Sequence, residues 1–186
     1  MSEPFRLPLR LIALSTVLAL AAATGTYVVL SDDGTPASTS NPGAVALTPE
    51  DPQGVTFTTY DGDIVALSEL RGTPLLVNFF ASTCVPCITE MPDLEAVYQD
   101  VASQMGFLGL ALQDRPEDAQ SLVQRTGVTY RTALDKDASA ITALGGTALP
   151  TTVLLDADGN IVAVHTGQID AAGLRALLAD KLGITA

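Results

Sequence analysis

The stretch LLVNFFASTCVPCITEMP, residues 75–92, decides the fold. Leu75 to Phe80 form a short apolar run of the kind that a strand buried on both faces requires. Beyond it, Cys87, Met91, Leu94, Tyr98 and Val101 recur at spacings of four and three, the mark of an amphipathic helix. Between the two stands Cys84-Val85-Pro86-Cys87, after the buried strand and in the first turn of the predicted helix. Two intervening residues in a helical first turn can bring the sulfurs to bonding distance. Cys84 falls where unpaired backbone N–H groups and the positive end of the helix dipole stabilise a thiolate. Pro86 is tolerated because a first-turn residue has no intrahelical acceptor for the N–H it lacks. Cys84 therefore reads as an exposed nucleophile and Cys87, one turn in, as the resolving thiol. A structural disulfide or half of a zinc site would use the same residues. A four-residue loop, however, adds little entropic stabilisation, and two thiolates alone do not close a tetrahedral site.

Working outward, VTFTTYDGDIVALSEL places Val55, Phe57 and Ile64 on either side of a Tyr60-Asp61-Gly62-Asp63 turn, which predicts a hairpin. Phe107 to Leu112 is a second buried-strand candidate, followed by a helix that starts at Pro116 and ends at Gly127. Val153 to Asp156 and Ile161 to Val164 flank Asp158-Gly159, which predicts a type I′ hairpin. Leu174, Leu177, Leu178 and Leu182 give the apolar face of a last helix. The expected order is strand, helix, strand, helix, hairpin, helix. That is an α/β fold with a mixed sheet, a parallel centre and helices on both faces.

The chain has 186 residues, enough for one ordinary domain and a short extension. Nine Lys and Arg against twenty-one Asp and Glu give a net charge of −12, which argues against a nucleic-acid partner. With two cysteines and one histidine, neither a disulfide scaffold nor a multi-ligand Cys/His zinc site can be built, and no metal is expected. Residues 1–6 read as a cytoplasmic N-terminus, and residues 7–30 as a transmembrane anchor or signal segment. Leu11 to Leu30 is apolar or small throughout and as a helix spans roughly 30 Å, the thickness of a hydrocarbon core. Arg6 and Arg10 precede it and Asp32 and Asp33 follow it, which predicts export of the remainder. A cleaved signal peptide is the alternative, with Ala19-Leu20-Ala21 as a small-x-small cleavage site. Residues 31–49 are rich in Ser, Thr, Gly and Pro and read as a flexible linker, leaving residues 50–186 as the exported domain.

This sequence resembles the membrane-tethered thiol-disulfide oxidoreductases of the TlpA/ResA type, which have the thioredoxin fold. The resemblance is carried by LLVNFFASTCVPCITEMP at 75–92, ALPTTVLLDADGNIV at 148–162 and the opening GVTFTTYDGDIVALSELRG. It covers about Pro52 to Leu182. It implies a thioredoxin-like fold with an N-terminal β-hairpin extension, and no cofactor beyond a redox-active Cys84–Cys87 disulfide. By the same resemblance Pro150 is a cis proline facing the cysteine pair. The backbone of Leu149 would pair with an extended substrate segment, beside Val85 and Pro86. From the residues alone Pro150 reads as a strand-start proline. Glu90 lies three residues after Cys87, hence on the same helix face. The resemblance makes it the acid that shifts thiol titration and exchanges a proton with the resolving sulfur, whereas residue type alone allows an ordinary solvated glutamate. The family often has tryptophans where this chain has Phe80 and Thr83, so the aromatic shield around the nucleophile is weaker.

Asn78, an amide, cannot shuttle protons and reads as a hydrogen-bonded strand residue. Pro92 should kink the helix, and His165 reads as structural. The implied function is reduction of disulfides in exported proteins, with apocytochrome c thiols as the family's usual target and a membrane thiol donor supplying electrons. The partners expected are thus exported protein thiols or disulfides and that donor. An exported oxidase of the same fold is one alternative. A copper-site metallochaperone is another, for which His165 is the further ligand available. A peroxidase ranks below both, because the position three before Cys84 is Ala81 and not threonine.

Overall fold

The computed structural model describes residues 52–185. The anchor or signal segment at 7–30, the linker at 31–49 and the domain start at 50 lie outside the described residues. Among the described residues no helix is long and apolar enough to cross a membrane.

Among the described residues seven strands form one sheet: β1 (Thr56–Thr58), β2 (Ile64–Ala66), β3 (Leu75–Phe80), β4 (Gly106–Leu112), β5 (Arg131–Asp135), β6 (Thr151–Leu155) and β7 (Ile161–Thr166). Their spatial order is β2-β1-β5-β4-β3-β6-β7. The three central strands β5, β4 and β3 are parallel, and antiparallel pairs close both sides. Among the described residues four α-helices pack with the sheet: α1 (Val85–Val101), α2 (Pro116–Thr126), α3 (Ser139–Ala143) and α4 (Ala171–Leu182). This is the thioredoxin-like mixed sheet with an N-terminal hairpin that the sequence predicts.

All six residues of β3 are buried, because both faces of the strand are covered. Leu76 and Phe80 join a core built with Cys87, Met91 and Leu94 of α1, Leu122 of α2 and Leu174 and Leu178 of α4. Val77 and Phe79 point the other way, into a core with Leu67, Ile141 of α3 and Val153. Alternation along one strand thus feeds two layers. The helix ends follow their local chemistry. Asp170 caps α4 by accepting the Gly173 N–H at 2.7 Å. Gly127 ends α2 at φ +75°, a left-handed conformation in which glycine carries no Cβ penalty.

Two expectations are corrected. The element order lacked β5 and α3, which stand between α2 and the β6–β7 hairpin. Short lengths of five residues each leave no period to read, and α3 begins after Ala138 at φ +63° instead of after a conventional cap. The Asp158-Gly159 turn is also not of type I′, which needs two consecutive residues at positive φ. Of the two only Gly159 has one, at +86°. The loop is wider: the Gly159 N–H donates to the Asp156 carbonyl at 3.0 Å, and the Asp156 side chain accepts from the backbone N–H groups of Asp158 and Asn160. An aspartate that organises its own turn competes with the tight two-residue form.

Candidate active site

The cysteine pair sits where β3 gives way to α1. Cys84 is the N-cap residue, with extended backbone, and its sulfur accepts the Cys87 N–H at 3.3 Å. That N–H is one of the orphan donors at a helix start, so the sulfur occupies the position that stabilises negative charge. Pro86 lies in the first turn, as expected. Cys84 and Cys87 form a disulfide with Cα atoms 5.3 Å apart. Cys84 is half-buried and Cys87 fully buried. The more accessible cysteine is therefore the N-terminal one.

The residues on either side of Cys84, Thr83 and Val85, are exposed. Val85 is 71% exposed, a large hydrophobic side chain presented to solvent beside the sulfur. Pro86 is exposed too, Leu149 is half-buried and Pro150 is buried. The Leu149–Pro150 peptide bond is cis. Phe79 pairs with Thr151 across the antiparallel β3–β6 ladder, so Pro150 lies level with Phe80, at the strand end from which the cysteine turn departs. The Gly167 N–H holds the Pro150 carbonyl at 2.9 Å.

Glu90 is fully buried, so it is not a solvated surface residue. Its Oε1 accepts from Asn78 Nδ2 at 2.8 Å and its Oε2 from the Ile169 N–H at 3.1 Å. Asn78 Nδ2 also donates to Thr152 Oγ1 at 3.3 Å. Burial pushes the Glu90 carboxyl up from the ordinary 4.5 to about 7, against the lowering effect of the Asn78 and Ile169 donors. Tyr130, in the same core, is likewise raised, by burial first and then by the charges of Glu90 and Glu95. Gly109 pairs with Asn78 across β3–β4, and a Cβ there would come within 3.1 Å of Phe80 and Thr132. Absence of that atom lets the sheet and its covering side chains close around the buried amide.

His165 stands opposite Thr152 on β7, with a buried Nε2 that has no protein partner. Among the described residues no three His, Cys, Asp or Glu side chains gather as a metal-holding group, so His165 does not complete a ligand set with the two sulfurs. The sequence reading missed Asp114 and Ser82, whose side chains meet beside the cysteine turn, and the Ile169 N–H that reaches Glu90. No sequence signal marks them, since aspartate and serine at strand ends are the default residues of turns.

A redoxin family pattern matches residues 35–178. The chain belongs to the redoxin family. Within that family it is a thiol-disulfide oxidoreductase of the TlpA/ResA type. It is 36% identical over 118 residues to the thiol-disulfide oxidoreductase ResA of Halalkalibacterium halodurans, covering 62% of this chain and 67% of that one. ResA of Bacillus subtilis is 29% identical over 110 residues, 59% of this chain and 62% of its own length. The chain thus matches less than two thirds of that second relative. Among solved structures, a thiol:disulfide interchange protein of the thioredoxin family from Chlorobium tepidum superposes with a TM-score of 0.62 at 29% identity, over 73% of this chain and 97% of that one. MTB dsbF, solved in mixed oxidized and reduced forms, gives 0.63 at 25% identity, over 69% and 96%. In this redoxin the CxxC-spaced disulfide pair is Cys84 and Cys87.

Proposed function

We propose that this oxidoreductase reduces disulfides in exported proteins, with Cys84 as the attacking thiol and Cys87 as the resolving thiol. The observation that carries the reading is the contrast between a half-buried cysteine at the helix N-cap and a fully buried one a turn further in. The Cys84 thiolate attacks one sulfur of the substrate disulfide, and the displaced substrate thiolate takes up a proton. Cys87 then loses its proton and attacks the Cys84 sulfur, which releases the second substrate thiol and closes the Cys84–Cys87 disulfide. Two electrons have passed from the enzyme to the substrate. Return to the dithiol requires a second thiol donor, which for an exported domain is a membrane thiol protein.

Glu90 is the proton acceptor for Cys87. The two side chains are three residues apart on one helix face, and a buried carboxyl near 7 exchanges protons at neutral pH. Val85, Pro86 and the Leu149-Pro150 backbone form the surface that receives an extended substrate segment. Apocytochrome c, with paired haem-attachment thiols, is the substrate class that the family resemblance supplies. Residues 7–30 tether the domain on the extracytoplasmic side. Supporting that location are the apolar run at 11–30 and the arginines preceding it.

The deciding experiment is equilibration of the domain with glutathione redox mixtures. A reducing potential, near that of the thioredoxins at about −270 mV, supports the reductase. A value near the strong-oxidant range of about −120 mV would assign the exchange to disulfide formation instead.

A further inference from the structure

Asp114 takes no part in the exchange cycle, yet it holds the turn that carries Cys84. β3 and β4 run parallel with Phe80 level with Ala111, so the segments that follow them leave the same end of the sheet side by side. The Asp114 carboxylate bridges them. Its Oδ2 accepts the Ser82 N–H at 2.6 Å and its Oδ1 the Ser82 hydroxyl at 2.9 Å, with the Arg115 N–H also on Oδ1 at 3.1 Å. Ser82 and Asp114 are 32 positions apart, so this is no local turn bond.

Both sides of the bridge are themselves fixed. Preceding Asp114, Gln113 adopts a left-handed backbone at φ +48°, and its N–H donates to the Asp135 carbonyl at 2.8 Å. Following Ser82, the Cys84 N–H donates to the Ala81 carbonyl at 3.0 Å, which closes the Ala81–Cys84 turn on itself. A shift at Ser82 is therefore passed to the Cys84 backbone two residues on. Asp114 makes no ion pair among the described residues, because Arg115 directs its guanidinium to Glu117 and Asp118.

We propose that Asp114 is a positioning residue for thiol exchange: by binding both donors of Ser82 it fixes the Ala81–Cys84 turn and the direction in which the Cys84 sulfur meets an incoming disulfide. Nucleophilic displacement at sulfur needs an aligned approach, and a misplacement of the nucleophile by about 1 Å can cost on the order of a hundredfold in rate. The same two bonds engage both Ser82 donors, while the Cys84 sulfur takes its donor from the Cys87 N–H.

The test compares Asp114→Ala with Asp114→Asn in the full chain. Asparagine keeps an oxygen acceptor for the Ser82 N–H and offers an amide donor to the Ser82 oxygen, so it retains both links to Ser82 while giving up the charge and the acceptor for the Arg115 N–H. The measurements are kcat/KM for insulin-disulfide reduction and the rate of Cys84 alkylation across pH in the reduced protein. Asp114→Ala should lose about tenfold or more in kcat/KM, mainly in kcat, and Asp114→Asn should stay within about threefold of the parent. The alkylation profile should keep its midpoint in Asp114→Asn. Parent-like turnover in Asp114→Ala would overturn the proposal. So would an equal loss in both variants with an equal shift in the alkylation midpoint, since the charge and not the clamp would then be acting. Should Asp114→Ala fail to fold, Ser82→Ala takes its place: it removes one of the two bonds, and turnover equal to the parent would again overturn the assignment.

Discussion

Asn78 on β3 donates a 2.8 Å hydrogen bond to the carboxylate of Glu90 on α1, and both side chains are wholly buried. A lone carboxylate in that core would carry a large desolvation cost. Asn78 and the Ile169 N–H each supply one donor, one to each carboxylate oxygen. Replacing Asn78 by Ala leaves Oε1 without its side-chain donor. That should destabilise the domain by about 1–3 kcal/mol at neutral pH and raise the Glu90 titration further. Urea unfolding, together with the pH dependence of thiol alkylation, checks both effects.

Stability should depend on pH through Glu90. Its folded-state value of about 7 lies above the ordinary 4.5, so between these values the folded protein keeps a proton that the unfolded chain releases. This group's contribution is therefore most favourable at low pH and is lost as pH rises toward and through about 7. At about 1.4 kcal/mol per unit, the loss is up to roughly 3 kcal/mol. Urea midpoints of the oxidised protein at about pH 5 and about pH 8 should show this slope, and Glu90→Gln should flatten it. Equal slopes in the two proteins would remove Glu90 from the account.

The same substitution should move the pH dependence of thiol chemistry. If Glu90 accepts the Cys87 proton, Glu90→Gln should slow release of mixed disulfides near neutral pH while leaving the first attack by Cys84 intact. Stopped-flow separation of the two phases reads this directly. An unchanged second phase would restrict Glu90 to a structural part.

Pro92 stands inside α1 on its exposed side, where it has no N–H for the Ile88 carbonyl. Pro92→Ala restores that donor and should raise stability by about 1 kcal/mol or more, since proline in a helix interior costs about 3 kcal/mol relative to alanine. The shift in urea midpoint measures it.

The parts of the fold that were legible in the sequence are those whose burial is dictated locally. β3 announces itself because six successive residues are buried on two faces, and α1 because Cys87, Met91 and Leu94 repeat along one stripe. β5 is hidden because a hydrophilic segment, Arg131 to Asp135, gains its place from the neighbours β1 and β4. The candidate site divides in the same way. The placement of Cys84 at the helix start follows from the strand that precedes it. The burial of Glu90 does not, because glutamate is exposed by default and one of its donors arrives from Ile169, 79 positions further along. Asp114 was illegible for a similar reason: its partner is set by the parallel register of β3 and β4.

The assignment of the two sulfurs is tested most directly by trapping. Reduced Cys87→Ser and Cys84→Ser proteins are each mixed with oxidised insulin, quenched in acid and analysed by peptide mass. Cys87→Ser should accumulate a stable mixed disulfide through Cys84, and Cys84→Ser should yield none at a comparable rate and no insulin reduction. Accumulation through Cys87 in the Cys84→Ser protein, at the rate of its counterpart, would contradict the account.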